Sequence, residues 1–407
     1  MLPSATIFLR RNIVGVDKAG IEMSMTMMCN EQSGYSLCDR YYGMSRALCD
    51  STNQLLQWMR QDQAAASMLE RIQNLVIGTR NVSAASAVFT RLRDYATVFY
   101  PGSASAAPDD DASSAADVSL SAVMMYCLPQ AVQSMQAAGI PSEIIETTLR
   151  DFAIWARVYQ DKTGRPGIGE TDWNLLSLTG SILRIGRLQY ELITFLEPYY
   201  VYRRSSDRRI VILAAPNLQV RLDGHLQGAN GLRTDTGFVT VLKTEGSSVS
   251  GNPVDITRGI ILAEPITIAR DDYDLILAPG TPTTSVHIPE DGSLSPEAVD
   301  ASFAEAAQLL ARLGRQTSTL FCESWLLDPT LELLSSPEGN LCSFMRRFAK
   351  FPVASVRPMM VERVFGWDAN NFKTSDLPER TSLQRNLKQR LMAGGEVYDV
   401  GGVIVIP

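Results

Sequence analysis

Apolar residues recur at helical spacing from Gly43 to about Gln160, interrupted over 101–117, and then give way to short β-branched and aromatic segments. That switch restricts the chain to a helical unit followed by a sheet-containing one. Leu48, Leu55, Met59, Leu69, Ile72, Leu75 and Ile77 carry the helical pattern across residues 43–100, with Asp50 and Ser51 as candidate caps. The pattern resumes over 118–138. Pro141, Ser142 and Glu143 then open a helix running to about Gln160, with Ile144, Ile145, Leu149, Phe152 and Trp155 as its apolar stripe. Residues 101–117 are small, acidic and poor in bulky apolar groups, and are predicted to form a mobile loop. The Gly- and Pro-rich stretch 162–170 marks a joint, which sets a helical domain at 1–165 and a sheet domain at 166–407.

A length of 407 residues exceeds one ordinary core, in agreement with two domains. The formal charge of -7 and the lack of a dense basic run argue against nucleic acid as a partner. Arg10 and Arg11 are followed by no apolar core of signal-peptide length, and no stretch approaches about 18 uninterrupted apolar residues. A cytoplasmic location with no membrane partner is therefore expected. The six cysteines are scattered, with no Cys-x-x-Cys pair, so free buried thiols and no metal are expected.

The second half opens with a predicted short helix over 173–183, followed by strands over 188–195, 199–203 and 209–214 that suggest an antiparallel meander. Residues 217–268 hold short strand-like pieces, 237–242 and 259–262, among many Gly, Ser and Asn, and read as an insertion of loops and hairpins. From Tyr273 strands and helices alternate. Strands are predicted at 274–278, 285–288, 319–322, 359–365 and 403–406, and helices at 295–313, 328–334, 340–348 and 382–392. The class is mixed α/β (α+β), helices first and sheet second.

Trp173, the run 184–192 (RIGRLQYEL), Val286-His287-Ile288-Pro289, the run 322–329 (CESWLLDP) and Arg363-Val364-Phe365-Gly366 stand in an order more specific than any one of them. Together they resemble a bacterial acyltransferase family with an N-terminal helical N-acyltransferase domain and a GNAT-like C-terminal domain. The resemblance covers 173–407 well and the first half only in its helical character. It implies a GNAT-like mixed sheet and an acyl donor such as acetyl-CoA or another acyl-CoA. It also implies that the helix following His287 presents its N-terminus to the pyrophosphate of CoA.

The catalytic candidates come from the chemistry of the residues. Ser295, Pro296 and Glu297 form an N-cap, a first-turn proline and a first-turn acid, so Gly292, Ser293, Leu294 and Ser295 are the candidate cofactor-binding loop. Glu290, Asp291 and Glu297 surround that loop with negative charge. His287, at a strand end beside the loop, is a candidate base for an attacking amine. Glu323 and Ser324 leave the next strand and are candidates for the second catalytic group; alternation sends Cys322 and Ser324 to one face and Glu323 to the other. Arg184, Arg187, Gln189 and Glu191 are read as an ion-pair network joining the domains, and His225 as a turn residue without metal partners.

Three functions fit these residues. The first is direct transfer of an acyl group from acyl-CoA to a small-molecule amine. The second is a thiol enzyme built on Cys322 and His287. The third is a non-catalytic binding protein that keeps the GNAT-like shape.

Overall fold

The computed structural model describes residues 31–101 and 114–406. Of the predicted mobile loop, residues 102–113 lie outside the described residues. Ser114 to Asp117 instead form a helix start, in which the Ser114 hydroxyl caps Asp117 and the Asp117 carboxylate accepts from the Ser114 backbone amide.

The first half is helical: α1 (Glu31–Tyr42), α2 (Arg46–Gln61), α3 (Gln63–Gln73), α4 (Val82–Phe99), α5 (Ala115–Ala137), α6 (Ser142–Leu149), α7 (Asp151–Thr163) and α8 (Thr171–Leu178). Ser45, Asp62 and Asn81 cap the starts of α2, α3 and α4 with their side chains, so the caps are not Asp50 and Ser51, which lie inside α2. α5 is apolar all round, long enough to cross a membrane, and buried from Val118 to Leu128 by the other helices. The single helix predicted from Ser142 to Gln160 breaks into α6 and α7 at Arg150.

Six strands then form one sheet in the order β1-β2-β13-β14-β16-β15. They are β1 (Ile182–Ile185), β2 (Leu188–Thr194), β13 (Pro282–His287), β14 (Thr319–Ser324), β15 (Ala349–Pro352) and β16 (Val400–Val405). All neighbours are antiparallel except β13 and β14. The predicted helix over 173–183 stops at Leu178, and its last residues belong to β1. The edge strand β1 is held by α6: Thr148 Oγ1 accepts from the Arg184 amide at 2.9 Å and Thr147 Oγ1 donates to the Arg184 carbonyl at 3.2 Å. These contacts occupy backbone groups that an open sheet edge would expose.

The expected meander is split. β2 pairs with β13 in the main sheet, whereas β3 (Tyr199–Arg204) and β4 (Ile210–Ala214) join β12 (Tyr273–Leu277) in a separate one. Between β4 and β12 lie short hairpins: β5 (Gln219–Arg221) pairs with β6 (Gly237–Val239), β7 (Leu242–Glu245) with β8 (Ser248–Gly251), β9 (Val254–Asp255) with β10 (Ile260–Ile261), and β11 (Ile266–Ala269) with β8. This inserted layer packs Phe195, Tyr199, Val201, Ile212 and Leu277 onto Phe321, Phe351 and Val403 of the main sheet. It thereby covers one face of β14, β16 and β15.

The opposite face is covered by α9 (Pro296–Arg312), which buries Val299, Ser302, Ala306, Leu309 and Leu310. Ser302 Oγ lies 2.8 Å from the Tyr190 hydroxyl and donates to the Ile185 carbonyl, fixing α9 on β1 and β2. Short helices α10 (Leu331–Leu334) and α11 (Asn340–Met345) follow. The strand predicted at 359–365 is a helix, α12 (Arg357–Phe365), because Pro358 opens it and Met360, Val361, Val364 and Phe365 repeat at helical spacing. The β-branched and aromatic content of that segment suggested a strand, but its burial pattern is helical. α13 (Ser382–Met392) matches its predicted range.

Candidate active site

β13 and β14 pair in parallel only through Thr284 with Leu320 and Ser285 with Phe321. β13 nevertheless continues to His287 and β14 to Ser324. The two strands therefore part company at their C-terminal ends and leave a fork in the middle of the sheet.

Register decides which side chains face that fork together. Ser285 pairs with Glu191 and Phe321, His287 with Gln189, and Glu323 with Gly401. By strand alternation His287, Gln189, Glu191 and Glu323 share one face of the sheet. Cys322 and Ser324 share the other.

His287 reaches two neighbours. Its Nε2 lies 3.3 Å from Glu191 Oε2, and its ring meets Trp173 edge-on at 5.0 Å between centroids. Trp173 comes from α8 of the helical half, and its indole N–H donates to Asp151 Oδ2 at 2.7 Å. Trp155 donates to the same oxygen at 2.9 Å. The buried carboxylate of Asp151 thus holds two indoles, one of which forms a wall for the imidazole. Gln189 is 2 % exposed, and its Nε2 finds no hydrogen-bond partner among the described residues. A buried donor left without a partner is costly unless a ligand takes it up.

Glu323 stands on the far side of the fork. Crowding by the surrounding protein, followed by the negative charges of Glu197 and Asp399, raises its carboxyl to about 7. Its side chain stays open to solvent, so it can exchange protons. Burial likewise raises Glu197 and Asp399 above the usual carboxylate range. A carboxylate half-protonated near neutral pH beside other acids has the properties of a general base for an ammonium-bearing substrate.

Ser324 points away from this cleft, and its hydroxyl accepts from the Leu326 amide at 3.2 Å, capping the turn at Trp325. Cys322 is 1 % exposed, and burial pushes its thiol up to about 12. Cys322 and His287 lie on opposite faces, so the Cys322/His287 thiol pair does not exist in the fold. His225 also lies apart, stacked at 4.0 Å on Tyr398, with burial lowering its imidazole to about 4.

The loop from His287 to α9 is organised from beneath by Arg187. Gly186, with φ at 59°, takes the left-handed conformation in the two-residue turn between β1 and β2 and so delivers Arg187 under the loop. The Arg187 guanidinium donates to the carbonyls of Ser293 at 3.1 Å, Pro289 at 3.0 Å and Gly292 at 3.1 Å. In a trans peptide the following N–H points opposite to the carbonyl. With those three carbonyls turned inward, the amides of Glu290, Ser293 and Leu294 are turned outward. Gly292 and Ser293 are exposed, and Ser295 caps α9 by accepting from the Ala298 amide at 3.3 Å. The acidic loop charge is partly answered by Arg184, whose Nη2 lies 2.9 Å from Asp291 Oδ1. The expected domain-joining cluster thus divides: Arg184 and Arg187 brace the loop, while Gln189 and Glu191 face the fork.

The helical roles of Trp173 and Asp151 at the site were not deduced from sequence. The only signal was that Trp173 stood among the family-like motifs. Among the described residues no group of three or more His, Cys, Asp or Glu side chains is placed to hold a metal ion.

Comparison with known proteins agrees with this architecture. Residues 182–404 match the family profile of the GNAT-like C-terminal domain, and residues 36–180 match that of the N-acyltransferase N-terminal domain. A comparison with curated proteins finds no match. Among solved structures, an acyltransferase in complex with decanoyl-CoA and teicoplanin is 21% identical, with 72% of this chain and 68% of that chain covered and a TM-score of 0.48. An acyltransferase in complex with CoA and 10C-teicoplanin is 17% identical over 96% of this chain and 100% of that chain, at a TM-score of 0.49. A mutant acyltransferase in complex with octanoyl-CoA is 20% identical over 81% and 80%, also at 0.49. With the first profile alone spanning more than half of its length, the chain belongs to the acyltransferase family that joins an N-acyltransferase N-terminal domain to a GNAT-like C-terminal domain.

Proposed function

We propose that the protein transfers an acyl group from acyl-CoA to the primary amine of a small-molecule acceptor, by direct attack of the amine on the thioester. The observation that carries this reading is the fork between β13 and β14, with His287 and Glu323 on the same face at its two sides. A pantetheine arm entering the fork finds strand ends whose mutual pairing has stopped. The outward amides of Glu290, Ser293 and Leu294 and the start of α9 lie next along its path and favour its diphosphate.

The reaction is then a matter of positioning and proton removal. The acceptor arrives as an ammonium ion, which the acidic cleft of Glu191, Glu197 and Glu323 attracts. Glu323, with its raised carboxyl, first takes one proton from the ammonium, and the neutral amine so formed attacks the thioester carbon. The Gln189 amide is the free donor available to the carbonyl oxygen as it gains charge. Collapse of the tetrahedral adduct forms the amide bond and breaks the carbon–sulfur bond, and the second proton shed by the adduct nitrogen passes to the departing sulfur, so that CoA leaves as the thiol. His287, held by Glu191 and Trp173, positions the acceptor and shares its proton. Ser324 takes no part, because its hydroxyl is on the other face.

The test is a reaction of the protein with acetyl-CoA and octanoyl-CoA in the presence of a panel of primary amines. Free thiol is followed colorimetrically and the acylated amine by mass. Stoichiometric thiol and N-acyl product support the reading; acyl-CoA binding with no turnover on any amine would favour a GNAT-like binding protein instead.

A further inference from the structure

A cavity of ≈ 380 Å³ opens where the helical half meets the sheet, lined by Arg150, Arg157 and Arg184 with Asp291 as its acid. Arg184 is committed to Asp291. Arg150 spends its donors on neutral acceptors, the carbonyls of Arg40 at 3.0 Å and Asp39 at 3.4 Å, so its charge has no counter-ion there. Arg157 is exposed, with no ion pair or hydrogen bond among the described residues. The Nη1 of the buried Arg187, which feels the charges of Asp291 and Arg184, has no partner among the described residues either. In a protein of net charge -7 this pocket is an island of positive charge.

Arginines gathered around a cavity with one carboxylate among them make a site for an anion, and guanidinium groups match phosphate oxygens in pairs. The cavity is larger than a phosphate alone needs, and Ala153 and Ile154 give it an apolar wall. Asp291 belongs to the same loop that follows His287. A donor with its thioester in the fork and its diphosphate over residues 292–295 is therefore led toward these arginines. We infer that the pocket takes the phosphate monoester on the ribose of the acyl-CoA donor, so that Arg150 and Arg157 of the helical half select the phosphorylated nucleotide. The inference rests on the acyl-CoA reading above.

Calorimetric titration of the full-length protein with CoA and with dephospho-CoA, which lacks only that phosphate, separates the two claims. The wild-type protein is expected to bind CoA about 30-fold more tightly, as two charge-assisted contacts imply. In R150Q/R157Q that preference falls to within about threefold, as the loss of both contacts requires. Equal affinity of the wild-type protein for the two ligands overturns the inference and leaves acyl-CoA use standing. Failure of the wild-type protein to bind either overturns both.

Discussion

The indole of Trp173 and the imidazole of His287 meet edge-on at 5.0 Å, which ties the helical half to the sheet at the point where β13 and β14 diverge. Trp173 is fixed in turn by its hydrogen bond to Asp151. Trp173→Phe keeps an aromatic wall and deletes that bond. It should cost about 1.5–3 kcal/mol of stability in urea melts, the range for a lost hydrogen bond to a charged group. Trp173→Ala should also lower kcat, because the imidazole loses its support. A variant with unchanged kcat would show that the contact serves packing only.

Glu323→Gln should lower kcat/KM by about 10²- to 10⁴-fold, the usual contribution of a general base, with unchanged circular dichroism. The wild-type kcat/KM should rise with pH through about 7, as Glu323 loses its proton. That limb should be missing in the variant.

The same residue has a stability signature of opposite sense. The folded state raises the Glu323 carboxyl, so its favourable, protonated contribution is complete below the ordinary glutamate range and is lost as pH rises through about 7. Glu323→Gln should therefore raise the Tm at pH 8 relative to wild type, and the gain should vanish near pH 4. A lower Tm at both pH values would contradict the account.

Cys322→Ala should retain catalysis, and iodoacetamide at pH 8 should leave Cys322 unmodified in the native protein, since the thiol is buried and raised to about 12. Inactivation tracking alkylation of Cys322 would revive a thiol mechanism.

Arg187→Lys should destabilise the loop after His287, because an ammonium cannot reach three carbonyls arranged for a planar fork. A loss of about 3 kcal/mol in urea unfolding is expected for Arg187→Ala, which strands those carbonyls. In both variants KM for acyl-CoA should rise more than kcat falls.

Local chemistry made much of this fold readable from the sequence. Ser295 and Pro296 marked the start of α9, and alternation placed Cys322 and Glu323 on opposite faces before any strand pairing was known. The strands bearing His287 and Cys322 pair in parallel, the arrangement that a helix between them favours. Segments whose apolar residues satisfy two periods were misread, as at 359–365, where Val361, Val364 and Phe365 suggest a strand until Met360 and Pro358 are counted. The role of Arg187 was out of reach because its three acceptors lie more than 100 positions along the chain. The same holds for Asp151, which meets Trp173 only after α7 and α8 fold together.

The claim on which the account rests is that the acyl donor lies in the fork, over the start of α9. Hydrogen–deuterium exchange of the full chain with and without octanoyl-CoA measures this directly. The account predicts slowed exchange in peptides covering residues 286–297 and 322–326. Binding that leaves both segments unprotected, while slowing exchange elsewhere, would contradict it.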